Sequence, residues 1–166
     1  VYDAQTLDTI KTIQLDSQSI GPESLTFSRR NDRAYLPHQF QNTKNMDRMF
    51  DNTVFPLIGV LNTMALEYIG EDALLLDAID APVSMPIASV LSLDERYLYV
   101  VNSGSNDLSV IDLANGLGGG PIAIGQHPQD IAMSADGVWL YTLNMVSDDI
   151  TVLEVATQSV VATFPL

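Results

Sequence analysis

Along residues 129–166, short apolar runs alternate with short polar breaks. The runs are 129–134, 138–144, 149–155 and 159–166, separated by Ala135-Asp136-Gly137, Ser147-Asp148 and Ala156-Thr157-Gln158. They are rich in Val, Ile, Leu, Tyr and Thr and shorter than an ordinary helix, so the pattern predicts strands joined by tight turns. ITVLEV at 150–155 alternates apolar with polar residues, as a half-buried strand does.

The pattern recurs. A shift of 42 residues lays Pro86, Ser92, Asp94, Tyr99, Asn102, Asp107, Val110 and Ala114 on Pro128, Ser134, Asp136, Tyr141, Asn144, Asp149, Val152 and Ala156. Pro22, Ser28 and Tyr35 meet Pro86, Ser92 and Tyr99 at an offset of 64. This upstream copy carries 14 extra residues between Leu36 and Val60 and 8 between Asn62 and Pro86. Residues 1–15, VYDAQTLDTIKTIQL, align without a gap on residues 152–166.

Four antiparallel strands per repeat of this length make one β-propeller blade. The expected fold is therefore all-β: a single propeller segment of about three and a half four-stranded antiparallel blades, where a closed ring has typically 4–8. Naming the strands a to d from the central axis outward, residues 1–15 read as the end of strand c plus strand d of a partial blade. Residues 22–78 read as a blade with insertions, and 86–125 and 128–166 as regular blades. Such a segment is expected to leave apolar blade faces bare, to be covered by further blades of a larger propeller or by another copy of the chain.

Particular residues carry a family resemblance. YVVN (99–102) followed by SNDLSVIDLANG (105–116), and YTLN (141–144) followed by SDDITVLEVATQ (147–158), resemble the YVTN family of β-propeller repeats. PQDIAMSADGVWLYTLN resembles that family's first half-blade. The resemblance implies the fold more than an activity, since the family spans surface proteins, binding modules and relatives of enzymes. Similar propellers include lactonases, the heavy subunits of quinone-dependent amine dehydrogenases and companions of cytochrome-like modules. Export from the cell is common among them, which implies a periplasmic or cell-surface location.

Composition narrows the partners. Net charge is −14, unevenly placed: residues 1–48 carry six basic and six acidic side chains, whereas residues 49–166 carry Arg96 against fifteen acids. A surface of that sign repels phosphate backbones, so nucleic acid is not an expected partner. The chain lacks cysteine, which excludes disulfides, thiolate metal sites and cysteine nucleophiles. No apolar run approaches the ~18–20 residues of a membrane-spanning helix. Val1 opens the sequence, as in a processed chain or a piece of a longer one.

Candidate chemistry gathers at one end of the blades. Antiparallel four-stranded blades place their b–c and d–a loops on one face, so His38 and His127 are expected together there. The segment PHQFQNTKNMDRMFDNTVFP at 37–56 reads as a long b–c loop, with Pro37 where later blades have Asn102 and Asn144 closing strand b. Long loops in compact repeats often recognise ligands or close as lids. The binding candidates are His38, Gln39, Asn42, Asn45, Asp47, Arg48, Asp51 and His127. His38 beside Asp47 or Asp51 could form an acid–base pair or a metal site, but two histidines without fixed spacing specify neither. No catalytic set, metal site or cofactor is expected from these residues. Met46 and Met49 read as apolar plugs, and Gly116 to Gly120 as a c–d turn without the lysine of a phosphate loop. Asp94-Glu95 and Asp136-Gly137 read as a–b turns, lacking the alternating acids of a calcium loop.

These residues imply a binding or scaffold module that presents residues 37–56 to a ligand or protein partner. The competing class is part of a propeller enzyme, lactonase-like or a subunit of a quinone- or haem-dependent dehydrogenase.

Overall fold

The computed structural model describes residues 1–44, 53–76 and 82–166. It is built from antiparallel sheets in succession, a segment of a β-propeller. Blade 1 comprises β1 (Ser19–Ile20), β2 (Thr26–Phe27), β3 (Arg33–Gln41), β4 (Val54–Asn62), β5 (Glu67–Tyr68) and β6 (Leu74–Leu75), with a 3-10 turn at Gly70–Asp72 between the last two. Blade 2 comprises β7 (Pro86–Leu91), β8 (Tyr97–Asn102), β9 (Asp107–Asp112), β10 (Leu117–Gly118) and β11 (Ile122–Ala123). Blade 3 comprises β12 (Pro128–Met133), β13 (Trp139–Asn144), β14 (Asp149–Glu154) and β15 (Ser159–Pro165). Residues 1–15 form a hairpin-like segment with one bridge, Tyr2 to Thr9. Among the described residues, no helix is long and apolar enough to cross a membrane.

Turn chemistry repeats as faithfully as the strands do. Among the described residues, each positive-φ residue falls on one of four turn positions. Asn31, Glu95 and Gly137 occupy the a–b turns, and Asn106 and Asp148 the b–c turns. Leu7, Leu66, Gly116 and Gln158 occupy the c–d turns, and Gly21, Met85 and His127 the d–a turns. Only Gly adopts this conformation without steric cost and Asn or Asp with little, so Leu, Met and Gln there carry a steric cost. Each a–b turn is also clamped by a serine: Ser92 Oγ accepts from Tyr97 N at 2.9 Å, and Ser134 Oγ from Trp139 N at 2.9 Å.

Blades stack face to face through two apolar clusters. Tyr35, Ile58 and Val60 of blade 1 meet Leu98, Val100 and Ile111 of blade 2. Tyr99, Val101, Leu108 and Val110 of blade 2 meet Ile131, Leu140 and Leu153 of blade 3. The strand alternation makes this possible: successive residues of β8 serve opposite neighbours. The innermost strands are also stitched, Thr26 Oγ1 donating to Ser89 O at 2.7 Å and Ser24 Oγ to Ile87 O at 2.8 Å.

At both ends of the expected 37–56 loop the described residues are strand. β3 and β4 pair from Arg33–Asn62 to Gln41–Val54, so residues 37–41 and 54–56 extend the hairpin. Phe40 and Phe55 pair across it, as do Gln39 and Pro56. Aromatic cross-strand pairing of this kind stabilises a ribbon, and the alternating polar residues of HQFQ hid that strand within a loop-like composition.

Candidate functional site

Register shows what distinguishes blade 1. Tyr35 pairs with Val60 as Tyr99 pairs with Val110 and Tyr141 with Val152. His38, not Pro37, therefore stands where blades 2 and 3 have Asn102 and Asn144. In blade 2, Asn102 Nδ2 donates to Asp107 Oδ1 at 2.7 Å and to Ser109 Oγ at 2.8 Å. In blade 3, Asn144 Nδ2 donates to Asp149 Oδ1 at 2.6 Å and Thr151 Oγ1 at 2.9 Å. The same three positions of blade 1 hold His38, Leu57 and Gly59. Both partners of the amide are lost, and a histidine fills the slot.

That histidine is 0% exposed. Its Nδ1 lies 2.9 Å from Leu36 O, so Nδ1–H is the donor, and Nε2 is left as a buried lone pair with no partner. Gly59 is what admits the ring: a Cβ there would stand 2.9 Å from His38 Cε1 and from Tyr68 Cε2. Burial lowers the His38 pKa against the raising effect of the Leu36 carbonyl, so the ring is neutral at pH 7. Ser19 pairs beside Phe40, placing it diagonal to His38 on one face of the sheet. Its Oγ is also buried without a partner.

His127 occupies the d–a turn between blades 2 and 3 with φ 54°. Its Nδ1 lies 2.8 Å from Ser103 Oγ, its backbone N–H donates to Asn106 Oδ1 at 2.7 Å, and its carbonyl accepts from Met145 N at 3.0 Å. It thus pins blade 3 to the b–c turn of blade 2. His127 is bonded into the junction of blades 2 and 3 and His38 only to its own strand, so no hydrogen bond unites the two histidines. Gln39 is half-buried on the face of β3 opposite His38, paired with Pro56. Asn42 N–H donates to Thr53 O at 2.8 Å and its Oδ1 accepts from Lys44 N at 3.3 Å, closing the end of the hairpin. Asn45, Asp47, Arg48 and Asp51, with Met46 and Met49, lie outside the described residues. Among the described residues no group of three acidic or histidine side chains could hold a metal ion.

Sequence reasoning did not single out Ser103 or Ser19. Ser103 begins SGSND and follows Asn102 directly; its spacing from His127 had no motif to announce it, because the two meet only when blades stack. A larger cleft, about 720 Å3, opens between residues 1–15 and blade 1, walled by Val1, Tyr2, Leu25, Phe27, Leu36 and Leu61. Leu25 and Phe27 are about half exposed, at 48% and 54%. Lys11 anchors the segment to the outer part of blade 1, Nζ donating to Ala65 O at 3.2 Å.

Residues 1–163 match the family described as "Lactonase, 7-bladed beta-propeller". No curated protein sequence matches the chain. Among solved structures, Kuenenia stuttgartiensis hydrazine synthase aligns over 94% of this chain and 39% of its own, with TM-score 0.65 and 20% identity. A nidogen/laminin complex aligns over 92% and 50%, with TM-score 0.64 and 15% identity. Dihydro-heme d1 dehydrogenase NirN, in complex with DHE, aligns over 66% and 22%, with TM-score 0.51 and 19% identity. At these identities the likeness is one of fold, and this chain spans at most half the length of those chains.

Proposed function

The chain belongs to the seven-bladed β-propeller lactonase family, and from that premise we propose that it is a propeller binding or scaffold module. Its recognition rim is the b–c and d–a end of the blades around the β3–β4 hairpin. The observation that carries this reading is the hairpin itself. β3 and β4 have nine residues each where strands b and c of blades 2 and 3 have six, so Gln39 to Asn42 extend beyond the framework rim. A blade needs no such extension to stack. Replacing residues 42–53 by Asn-Gly, a two-residue hairpin turn, should leave the fold intact and abolish capture of the partner from source extract. Identical capture by both chains would refute the rim assignment.

The cleft beside residues 1–15 fits strands a and b of a further half-blade, supplied by additional propeller strands or another copy. Half-exposed Leu25 and Phe27 support this reading, as an uncovered blade face favours association. Light scattering during size exclusion tests it: a stable compact monomer across concentrations counts against it. Export to the periplasm or cell surface is proposed on the YVTN-like repeats, and cell fractionation decides it.

A second reading, ring-opening hydrolysis of a lactone, is favoured by the family and by the Ser103–His127 bond, a hydroxyl within reach of an imidazole base. It predicts turnover of simple γ- and δ-lactones that Ser103→Ala and His127→Ala abolish. An inactive wild-type chain across such a panel rejects it.

A further inference from the structure

The end of the molecule opposite the hairpin rim carries a different site. A hollow of about 400 Å3 opens between blades 2 and 3, walled by Ser92, Asp94, Tyr97, Tyr99, Asp136 and Gln158. It sits over the a–b turns, which touch there: a Cβ on Gly137 would stand 2.6 Å from Leu93 Cδ1.

Three oxygens around this hollow lack partners. Tyr99 is 1% exposed, and its hydroxyl is buried without a hydrogen bond. Burial, with Tyr97 and Asp94 close enough to act on it electrostatically, raises its pKa and keeps it a neutral O–H. Asp94 uses only Oδ1 internally, accepting from Ser92 Oγ at 2.6 Å and Arg96 N at 3.1 Å. Asp136 does the same, Oδ1 accepting from Ser134 Oγ at 2.6 Å and Val138 N at 3.1 Å. Those bonds, the serine hydroxyl foremost, hold both carboxyls below the usual range, so both are ionised at neutral pH. Among the described residues, no hydrogen bond engages either Oδ2. The neighbouring cation Arg96 is turned to Asp112, with Nη2 3.2 Å from its Oδ2, and lies 5.0 Å over the Tyr97 ring. Arg96 still acts on Asp94 electrostatically, whereas among the described residues no such cation acts on Asp136.

We propose that this hollow binds a protonated primary amine. An ammonium group has three N–H donors and no acceptor, matching the Oδ2 atoms of Asp94 and Asp136 and the Tyr99 oxygen. Charge-assisted bonds of this kind are the strong ones. Leu93 and Val155, also lining the hollow, provide an apolar wall for the alkyl stem. The chemistry is shared by a free alkylamine and by a lysine side chain on a protein partner.

Titration of the purified chain with n-butylamine, Nα-acetyl-lysine amide and n-butanol, followed by NMR, tests the proposal. Both amines should bind saturably and butanol should not. Asp94→Asn and Asp136→Asn keep the Oδ1 acceptor of the turn and should each weaken amine binding at least tenfold. Tyr99→Phe removes only the hydroxyl and should weaken it about threefold; it decides the matter should the Asn variants fail to fold. Tighter binding of the lysine derivative than of butylamine assigns the site to a protein partner, and the reverse to a free amine. No saturable amine binding, equal binding of butanol, or amine binding that every folded variant leaves unchanged would overturn it.

Discussion

Blade 3 and blade 1 share one repeat but solve different problems. Blade 3 keeps the short regular strands, and its Asn144 is satisfied by Asp149 and Thr151. Blade 1 gives up that network for His38, Leu57 and Gly59, leaves Nε2 and the Ser19 hydroxyl unpaired, and lengthens the hairpin that follows. Buried polar atoms without partners are uncommon because each costs about 1–3 kcal/mol. Blade 2 shares that cost, at the Tyr99 hydroxyl and Asn102 Oδ1; what sets blade 1 apart from blades 2 and 3 is the missing amide network and the lengthened β3–β4 hairpin.

Cavity substitutions should break the contrast most visibly. Leu140→Ala, at a side chain 1% exposed in the apolar cluster joining blades 2 and 3, should cost about 2–5 kcal/mol by denaturant unfolding. Leu36→Ala, facing the open cleft, should cost no more than about half as much, since its surroundings are already partly wet. Equal losses would mean that the cleft is closed in solution. Next comes the amide network: Asn102→Ala removes one of the two side-chain donors to the buried Asp107 carboxyl, Ser105 being the other, and should cost about 1–3 kcal/mol.

His38→Leu should run the other way. It replaces a buried unpaired acceptor by an apolar group, and stability at pH 7.5 should change by less than about 1 kcal/mol. Its pH dependence sharpens the point. Because the folded pKa of His38 is depressed, the unfolded chain binds the extra proton, so wild-type stability falls as pH drops below about 6.5. Relative to wild type, the Leu variant should gain stability between about pH 6.5 and 5; parallel pH curves would show that His38 is accessible to solvent in the native state. The smallest effect concerns a turn. Leu7 holds φ 60° with 75% of its surface exposed, so Leu7→Gly should stabilise by up to about 1 kcal/mol. A loss would show that the leucine side chain packs against something.

The repeat was legible because its apolar period, its Ser-x-Asp turns and its YVVN and YTLN strands recur with little change. The propeller fold followed from those positions. Blade 1 was less legible because its departures lie in pairing rather than composition. HQFQ looks like loop until Phe40 is seen opposite Phe55, and the equivalence of His38 with Asn102 emerges only from the Val60 and Val110 registers. Tyr99 and Asp136 read as strand and turn residues, which they are; the hollow they share exists only once blades 2 and 3 are stacked.

The left-handed residues of the d–a turns, Gly21, Met85 and His127, each precede a proline that opens the next blade. The chain is thereby divisible at a junction that recurs without interrupting any a–b, b–c or c–d turn. A cut before each proline yields cassettes of about one blade, so such propellers can grow, shrink or exchange units by duplication without inventing new turns. Blade 1 is then a cassette lengthened in its hairpin and between Asn62 and Pro86, while Gly21 and Met85 keep the left-handed turn residue before each proline.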